Sequence, residues 1–138
     1  MAVQKVHIAE FLEMAHHFPV LDVRSPGEFV QGHIPGACNL PLFSDAERKI
    51  VGTTYKQVDR EAAIKIGLDF FGPKMRQMVI TAEEIRDNHL KGLKEAPSAS
   101  NLILVHCWRG GMRSAALAWL LDLYGFKVYT LTGGYKAY

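Results

Sequence analysis

The chain reads as an α/β protein: an open, mostly parallel sheet with helices on both faces and a helical insertion over about residues 44–95. Three observations predict this. Short aliphatic runs at residues 20–23, 102–105 and 128–131 alternate with stretches of helical periodicity. The run at 102–105 leads through His106 and Cys107 into Trp108-Arg109-Gly110-Gly111-Met112-Arg113-Ser114 and then an apolar helix. Finally, the long span between the early strands and residue 102 carries helical patterns only, more than a simple parallel crossover needs.

Taken in order, residues 3–6 make a short edge strand. Ile8, Phe11, Leu12 and Ala15 recur at helical spacing, and the helix ends near His16 and His17, where its dipole favours them. Pro19 precedes a buried strand at 20–23, and Ser25 with Pro26 opens the next helix as cap and first residue. Asp22, inside an apolar strand, requires a partner. Arg24 and Glu28 stand one helical turn apart and are expected to pair. Asp22, Arg24 and Glu28 therefore read mainly as structural support. Residues 32–37 form a turn that His33 is expected to tie through a backbone hydrogen bond. A short strand follows at 38–40, with Cys38 as small core filling.

Ser44 with Glu47 three residues on is a capping box. Residues 51–57 are expected to interrupt that helix. A pattern resumes through Ala62, Ala63, Ile66 and Leu68, punctuated at Gly67 or at Gly72-Pro73, and a further helix runs from 73 to about 90. The stretch 67–74 superficially has the look of a phosphate-binding loop. It fails, because proline stands where lysine should follow glycine and no strand leads in. Residues 96–100 read as a surface loop. The helix expected over 114–124 is apolar almost all round and should be buried. Gly125 caps it, a last strand follows at 128–131, and a helix begins at 133 and stops. The expectation is one domain, residues 1–138, forming the N-terminal part of a longer protein.

Composition bounds the function. A 138-residue chain buries one core. Its net charge of +2 argues against an extended electrostatic nucleic-acid face. Cys38 and Cys107 lie far apart without ligand spacing, so neither a disulfide framework, a metal site nor a cofactor is expected. The N-terminus lacks an apolar signal core and no run reaches membrane-span length, which suits a cytoplasmic setting without membrane contact.

Chemistry concentrates at Cys107. A loop between a strand and a helix aims its N–H groups at one point, at the positive end of the helix dipole. Gly110 and Gly111 are both able to take positive φ and turn successive amides into an anion nest. Such a nest favours a nucleophilic thiolate over an inert thiol. Ser114 is expected as the helix N-cap, and Arg113 at the helix entrance is expected to fold its guanidinium over an anion on the cysteine. Arg109 and Met112 complete the loop, and Trp108 either packs or stacks on an acceptor.

Four segments in order carry a resemblance: Asp22-Val23-Arg24-Ser25 with Glu28-Phe29; residues 32–39; the cysteine loop; and Leu131-Thr132-Gly133-Gly134-Tyr135. Together they resemble the successive signatures of rhodanese domains. The loop from Cys107 to Ser114, taken with residues 51–57, is similar to the rhodanese part of bacterial tRNA 2-selenouridine synthases. That resemblance implies a sulfurtransferase or selenotransferase carrying the atom on Cys107 as a persulfide or selenyl-sulfide. It also implies residues 108–114 as substrate-binding, a selenophosphate or thiosulfate-like donor, and tRNA wobble 2-thiouridine as acceptor in the full-length protein. Part of the work falls to a C-terminal domain with a phosphate-binding loop; no such motif occurs in these 138 residues.

Arg113 follows Cys107 by six residues, where many rhodanese loops have five. The Cys-x5-Arg spacing is shared with cysteine-dependent phosphatases, and a wider loop suits a tetrahedral oxyanion such as selenophosphate. Two alternatives therefore stand beside chalcogen transfer: phosphomonoester hydrolysis, which needs a general acid, and a non-catalytic binding module. In the latter Lys49, Lys56, Arg60, Lys65, Lys74 and Arg76 would form a basic stripe on the insertion, although a solvated helix surface explains them equally well.

Overall fold

Alternation of side chains along a strand decides which face each residue meets, and here it separates two apolar clusters. In the computed structural model, which describes residues 3–91 and 101–138, five parallel strands form one sheet. They are β1 (Gln4–Val6), β2 (Val20–Asp22), β3 (Cys38–Asn39), β4 (Leu102–His106) and β5 (Lys127–Leu131), in the order β1-β5-β4-β2-β3. The edge position expected for the first strand is correct. Leu102 and Leu104 of β4 pack with Val20, Phe11, Ile34 and Leu131 on one face. Ile103, Val105 and Cys107 pack with Leu21, Val23, Leu117 and Leu121 on the other. All five residues of β4 are buried, as a central parallel strand covered on both sides requires. Each fully buried leucine or isoleucine contributes about 1.5–3 kcal/mol relative to exposure.

Six α-helices connect and cover the sheet: α1 (Ile8–Ala15), α2 (Pro26–Gln31), α3 (Asp45–Gln57), α4 (Arg60–Phe71), α5 (Met75–Lys91) and α6 (Met112–Tyr124). The insertion is α3 to α5, and the expected interruption at 51–57 does not occur. The Ser44–Glu47 capping box starts α3 as read, and the helix runs unbroken through Gly52 to Gln57. A single helical glycine costs about 1 kcal/mol, which twelve other residues in register outweigh. Likewise α4 passes through Gly67, where a Cβ would stand 3.2 Å from Phe43 Cζ, and stops at Gly72. The tight approach explains glycine there as packing rather than punctuation.

Two further expectations are corrected at α6. The helix begins at Met112 with Gly111 as its cap, so Ser114 lies inside the first turn. Nor is α6 buried all round: Trp119 is 52% exposed and Leu123 69%. Its outer face is apolar in composition but solvated. The surface loop read at 96–100, together with residues 92–95 of the insertion, lies outside the described residues. Among the described residues, no helix is long and apolar enough to cross a membrane.

Candidate active site

Parallel register sets the floor of the site. Asp22 of β2 is the Cα partner of His106 of β4, and both side chains are fully buried. The partner Asp22 requires is Arg24, whose Nε and Nη2 donate to its carboxylate at 3.0 and 2.7 Å. Arg24 Nη2 also donates to the Gly32 carbonyl at 2.7 Å, pinning the turn that follows α2. The predicted Arg24–Glu28 pair is therefore not formed. Glu28 instead meets Arg113 at 2.7 Å and Arg48 at 3.0 Å, while the Ser25 amide and hydroxyl donate to it at 3.0 Å. Burial pushes the Glu28 carboxyl upward. The hydrogen bond and charge of Arg113, the Ser25 amide and the charge of Arg48 together outweigh it, and hold the carboxyl below its ordinary range. His33 does tie its turn, its Nδ1 lying 2.9 Å from the Phe29 carbonyl.

His106 sits at the end of β4 with Nδ1 3.1 Å from the Cys107 carbonyl, an acceptor, so Nδ1 carries the proton. Its Nε2 is buried without a hydrogen bond, 3.6 Å from Asp22 Oδ2. Burial lowers the imidazole's pKa against the opposing pull of Asp22 and the Cys107 carbonyl, and Arg24 lowers it further. A neutral, buried His106 braces the loop.

Next along the chain is Cys107, 3% exposed, with Sγ 3.1 Å from Ser114 Oγ. Ser114 Oγ in turn donates to the Gly111 carbonyl at 3.2 Å. Among the described residues, the amides of Trp108, Arg109, Gly110 and Gly111 donate to no protein group. Gly110 takes the positive φ expected, +71°, but Gly111 does not: at φ −94° it caps α6. One left-handed glycine suffices to turn the loop. Four uncommitted amides beside a helix start can hold an anion at the cysteine.

The loop's shape is imposed from outside. Tyr135 N–H donates to the Cys107 carbonyl at 2.7 Å, and Lys136 N–H to that of Trp108 at 2.9 Å. A Cβ on Gly134, whose φ is +61°, would stand 2.5 Å from the Cys107 carbonyl and 2.6 Å from the Gly110 nitrogen. The loop is thus seated on the turn after β5. Sequence reasoning assigned no role to Gly134, Tyr135, Arg48 or Asn39. The Gly133-Gly134 pair was a visible turn signal, but only the pairing of β4 with β5 shows what the turn meets. Asn39 Nδ2 donates to the Asp22 and Arg24 carbonyls at 2.9 Å each and fastens β3 to the end of β2.

Arg113, predicted to lie over the cysteine, has its guanidinium committed to Glu28. The Glu28 carboxylate, 2.7 Å away, holds it there. Trp108, Arg109 and Met112 are exposed. Two cavities flank the loop. A polar one of about 590 Å³ is lined by Arg24, Ser25, Glu28, Arg48, Trp108 and Tyr135, among others. The other, about 560 Å³ and apolar, lies where α3 and α4 meet Met112 and Arg113.

Along most of its length the chain is similar to known proteins. The rhodanese-like domain model matches residues 7–138. The chain is 42% identical over 119 residues to a tRNA 2-selenouridine synthase of Nitrosomonas europaea, covering 86% of this chain and 28% of that protein. It is 40% identical to that of Verminephrobacter eiseniae, covering 88% of this chain and 31% of that protein. The chain thus spans under a third of the length of these relatives. Among solved structures, the N-terminal domain of a Clostridium difficile 630 protein described as an ATP/GTP binding protein superposes with a TM-score of 0.80. It is 36% identical, with 99% of this chain and 95% of that one covered. A strand-end cysteine cradled by a glycine loop, on a five-stranded parallel sheet matched along nearly its whole length, places this chain in the rhodanese-like domain family.

Proposed function

We propose that this domain transfers sulfur or selenium through Cys107, as the rhodanese part of a longer tRNA 2-selenouridine synthase acting on 2-thiouridine. The observation that carries the reading is the loop itself: Cys107 Sγ lies beside Ser114 Oγ, and the four amides that follow it in the chain are uncommitted. Once the thiol proton is lost to solvent, the Ser114 hydroxyl rotates from the Gly111 carbonyl to donate to the thiolate. The thiolate attacks the outer sulfur of a thiosulfate-like donor. A new S–S bond forms on Cys107, the donor's S–S bond breaks, and its electron pair leaves with sulfite. The loop amides stabilise the departing oxyanion. A selenophosphate donor presents a tetrahedral oxyanion of similar kind, for which the Cys-x5-Arg loop supplies the added width. Attack on its selenium would form the S–Se bond and break the Se–P bond, the electron pair leaving with phosphite. Relatives named for tRNA modification support tRNA as the acceptor.

Phosphatase chemistry is disfavoured by one observation. Hydrolysis of a phosphomonoester needs a proton for the leaving oxygen, and the carboxyl against Arg113 is Glu28, held ionised. Intact-mass measurement after incubation with thiosulfate or selenophosphate, alongside a phosphatase assay, tests the proposal. One added chalcogen atom on Cys107, with no phosphate released from a phosphomonoester, is expected. Phosphate release without loading would replace it with hydrolysis. A Cys107→Ala variant that still supports tRNA modification in the full-length protein would leave only a binding role.

A further inference from the structure

We infer that the polar cavity beside the loop is the subsite for the acceptor's flat heterocycle, the base stacking on Trp108 with an exocyclic oxygen held by Arg24. This rests on the transfer reading above and gives its acceptor a place. Three independent features point to it. Trp108 directly follows the nucleophile and lines the cavity, yet keeps 37% of its surface exposed, so it offers a stacking surface without a complete packing role. Arg24, also on the wall, is 2% exposed, and its Nε and Nη2 are spent on Asp22 and the Gly32 carbonyl. Its Nη1 makes no hydrogen bond among the described residues, leaving a donor pair at the edge of a nearly buried guanidinium without a protein acceptor. The guanidinium lies 4.0 Å over the Tyr135 ring, which fixes its plane.

The third feature is charge. Arg24 is matched by Asp22, Arg48 by Glu28, and the Asp45 carboxylate accepts from the Gly27 amide at 2.9 Å. A wall whose charges are internally matched does not select a phosphate group. It suits a neutral ring bearing both donors and acceptors, and about 590 Å³ holds a nucleoside with room to spare. Base-on-aromatic stacking makes a flat ring a suitable occupant of such a wall. The cavity across the loop is reached by Arg48, Lys49, Lys56 and Arg113, but its surface is mainly apolar and neither Trp108 nor Arg24 lines it.

The test uses the full chain with Trp119→Phe, which leaves Trp108 as the sole tryptophan. Titration with 2-thiouridine is expected to quench Trp108 fluorescence saturably, while ribose 5-phosphate leaves it unchanged. Arg24→Lys preserves a cation for Asp22 but removes the fork, and should weaken 2-thiouridine at least about tenfold. No quenching, equal quenching by ribose 5-phosphate, or undiminished affinity in Arg24→Lys of unchanged melting temperature overturns the subsite. If Arg24→Lys melts early, Trp108→Ala binding measured by calorimetry decides, with retained affinity counting against the inference. Loading of Cys107 from thiosulfate is read on the same samples. Loading without quenching refutes the subsite alone, whereas quenching without loading refutes the transfer chemistry and leaves the subsite standing.

Discussion

The two cysteines stand on the same sheet and pack against the same apolar cluster, but their surroundings prepare them differently. Cys38 is half-buried in the two-residue edge strand β3, paired in register with Leu21. Burial alone acts on it and pushes its thiol up. Cys107 is more deeply buried, yet it directly follows the last residue of the central strand, where the chain leaves the sheet. There its Sγ lies beside a serine hydroxyl, and the four amides that follow it are uncommitted. Exposure would rank Cys38 as the reactive thiol, and dipoles rank Cys107. What a parallel sheet provides at its strand ends is backbone that has stopped pairing and is free to bind something else.

That contrast is broken most severely by removing the sulfur. Cys107→Ala should abolish persulfide formation from thiosulfate, and Cys38→Ala should leave it within twofold, both read by intact mass. Nearly as large is Gly134→Ala. The added Cβ meets two backbone atoms at 2.5 and 2.6 Å in a left-handed residue, so it should cost about 2–5 kcal/mol in urea unfolding. Loading should fall with it while Cys38 alkylation rises.

Smaller changes sharpen the comparison by separating the cradle's charge from its shape. Arg113→Ala should raise the KM for thiosulfate about tenfold with little change in fold. Glu28→Gln keeps an acceptor for Ser25 but releases Arg113 and Arg48, so KM should fall severalfold and stability by about 1 kcal/mol. An unchanged KM in both would show that the pair only braces α2 against α6.

The smallest effect is on pH. Burial lowers the His106 pKa in the folded chain, so below the unfolded value of about 6.5 the unfolded chain binds more protons. Stability owed to neutral His106 is therefore complete above pH ~6.5 and declines as the pH falls beneath it. Glu28, lowered in the fold, adds a second loss at more acid pH, as the pH falls through its folded value. Thermal melts of His106→Asn should lack the first limb and keep the second.

Much of this arrangement was legible in the sequence because local chemistry dictated it. An aspartate in an apolar strand needs a partner, a serine before proline starts a helix, and a cysteine before two glycines leaves a strand. The family followed from the order of four such segments. What could not be read is set by pieces that meet only in space. Arg113 and Glu28 are 85 residues apart and pair because α2 and the start of α6 face each other. Gly134 shapes a loop 27 positions earlier because β5 lies beside β4. Ser114 looked like a cap because its residue type favours caps. Gly111 took that place, and the serine, one turn in, met the thiol instead.

We propose that the dipoles of the loop, rather than exposure, make Cys107 the reactive thiol. Competitive alkylation with iodoacetamide at pH 7, followed by peptide mass mapping, tests it directly. Cys107 should be modified well before Cys38, and Ser114→Ala should slow Cys107 while leaving Cys38 unchanged. Modification of Cys38 first, with Cys107 reacting only on unfolding, would contradict it.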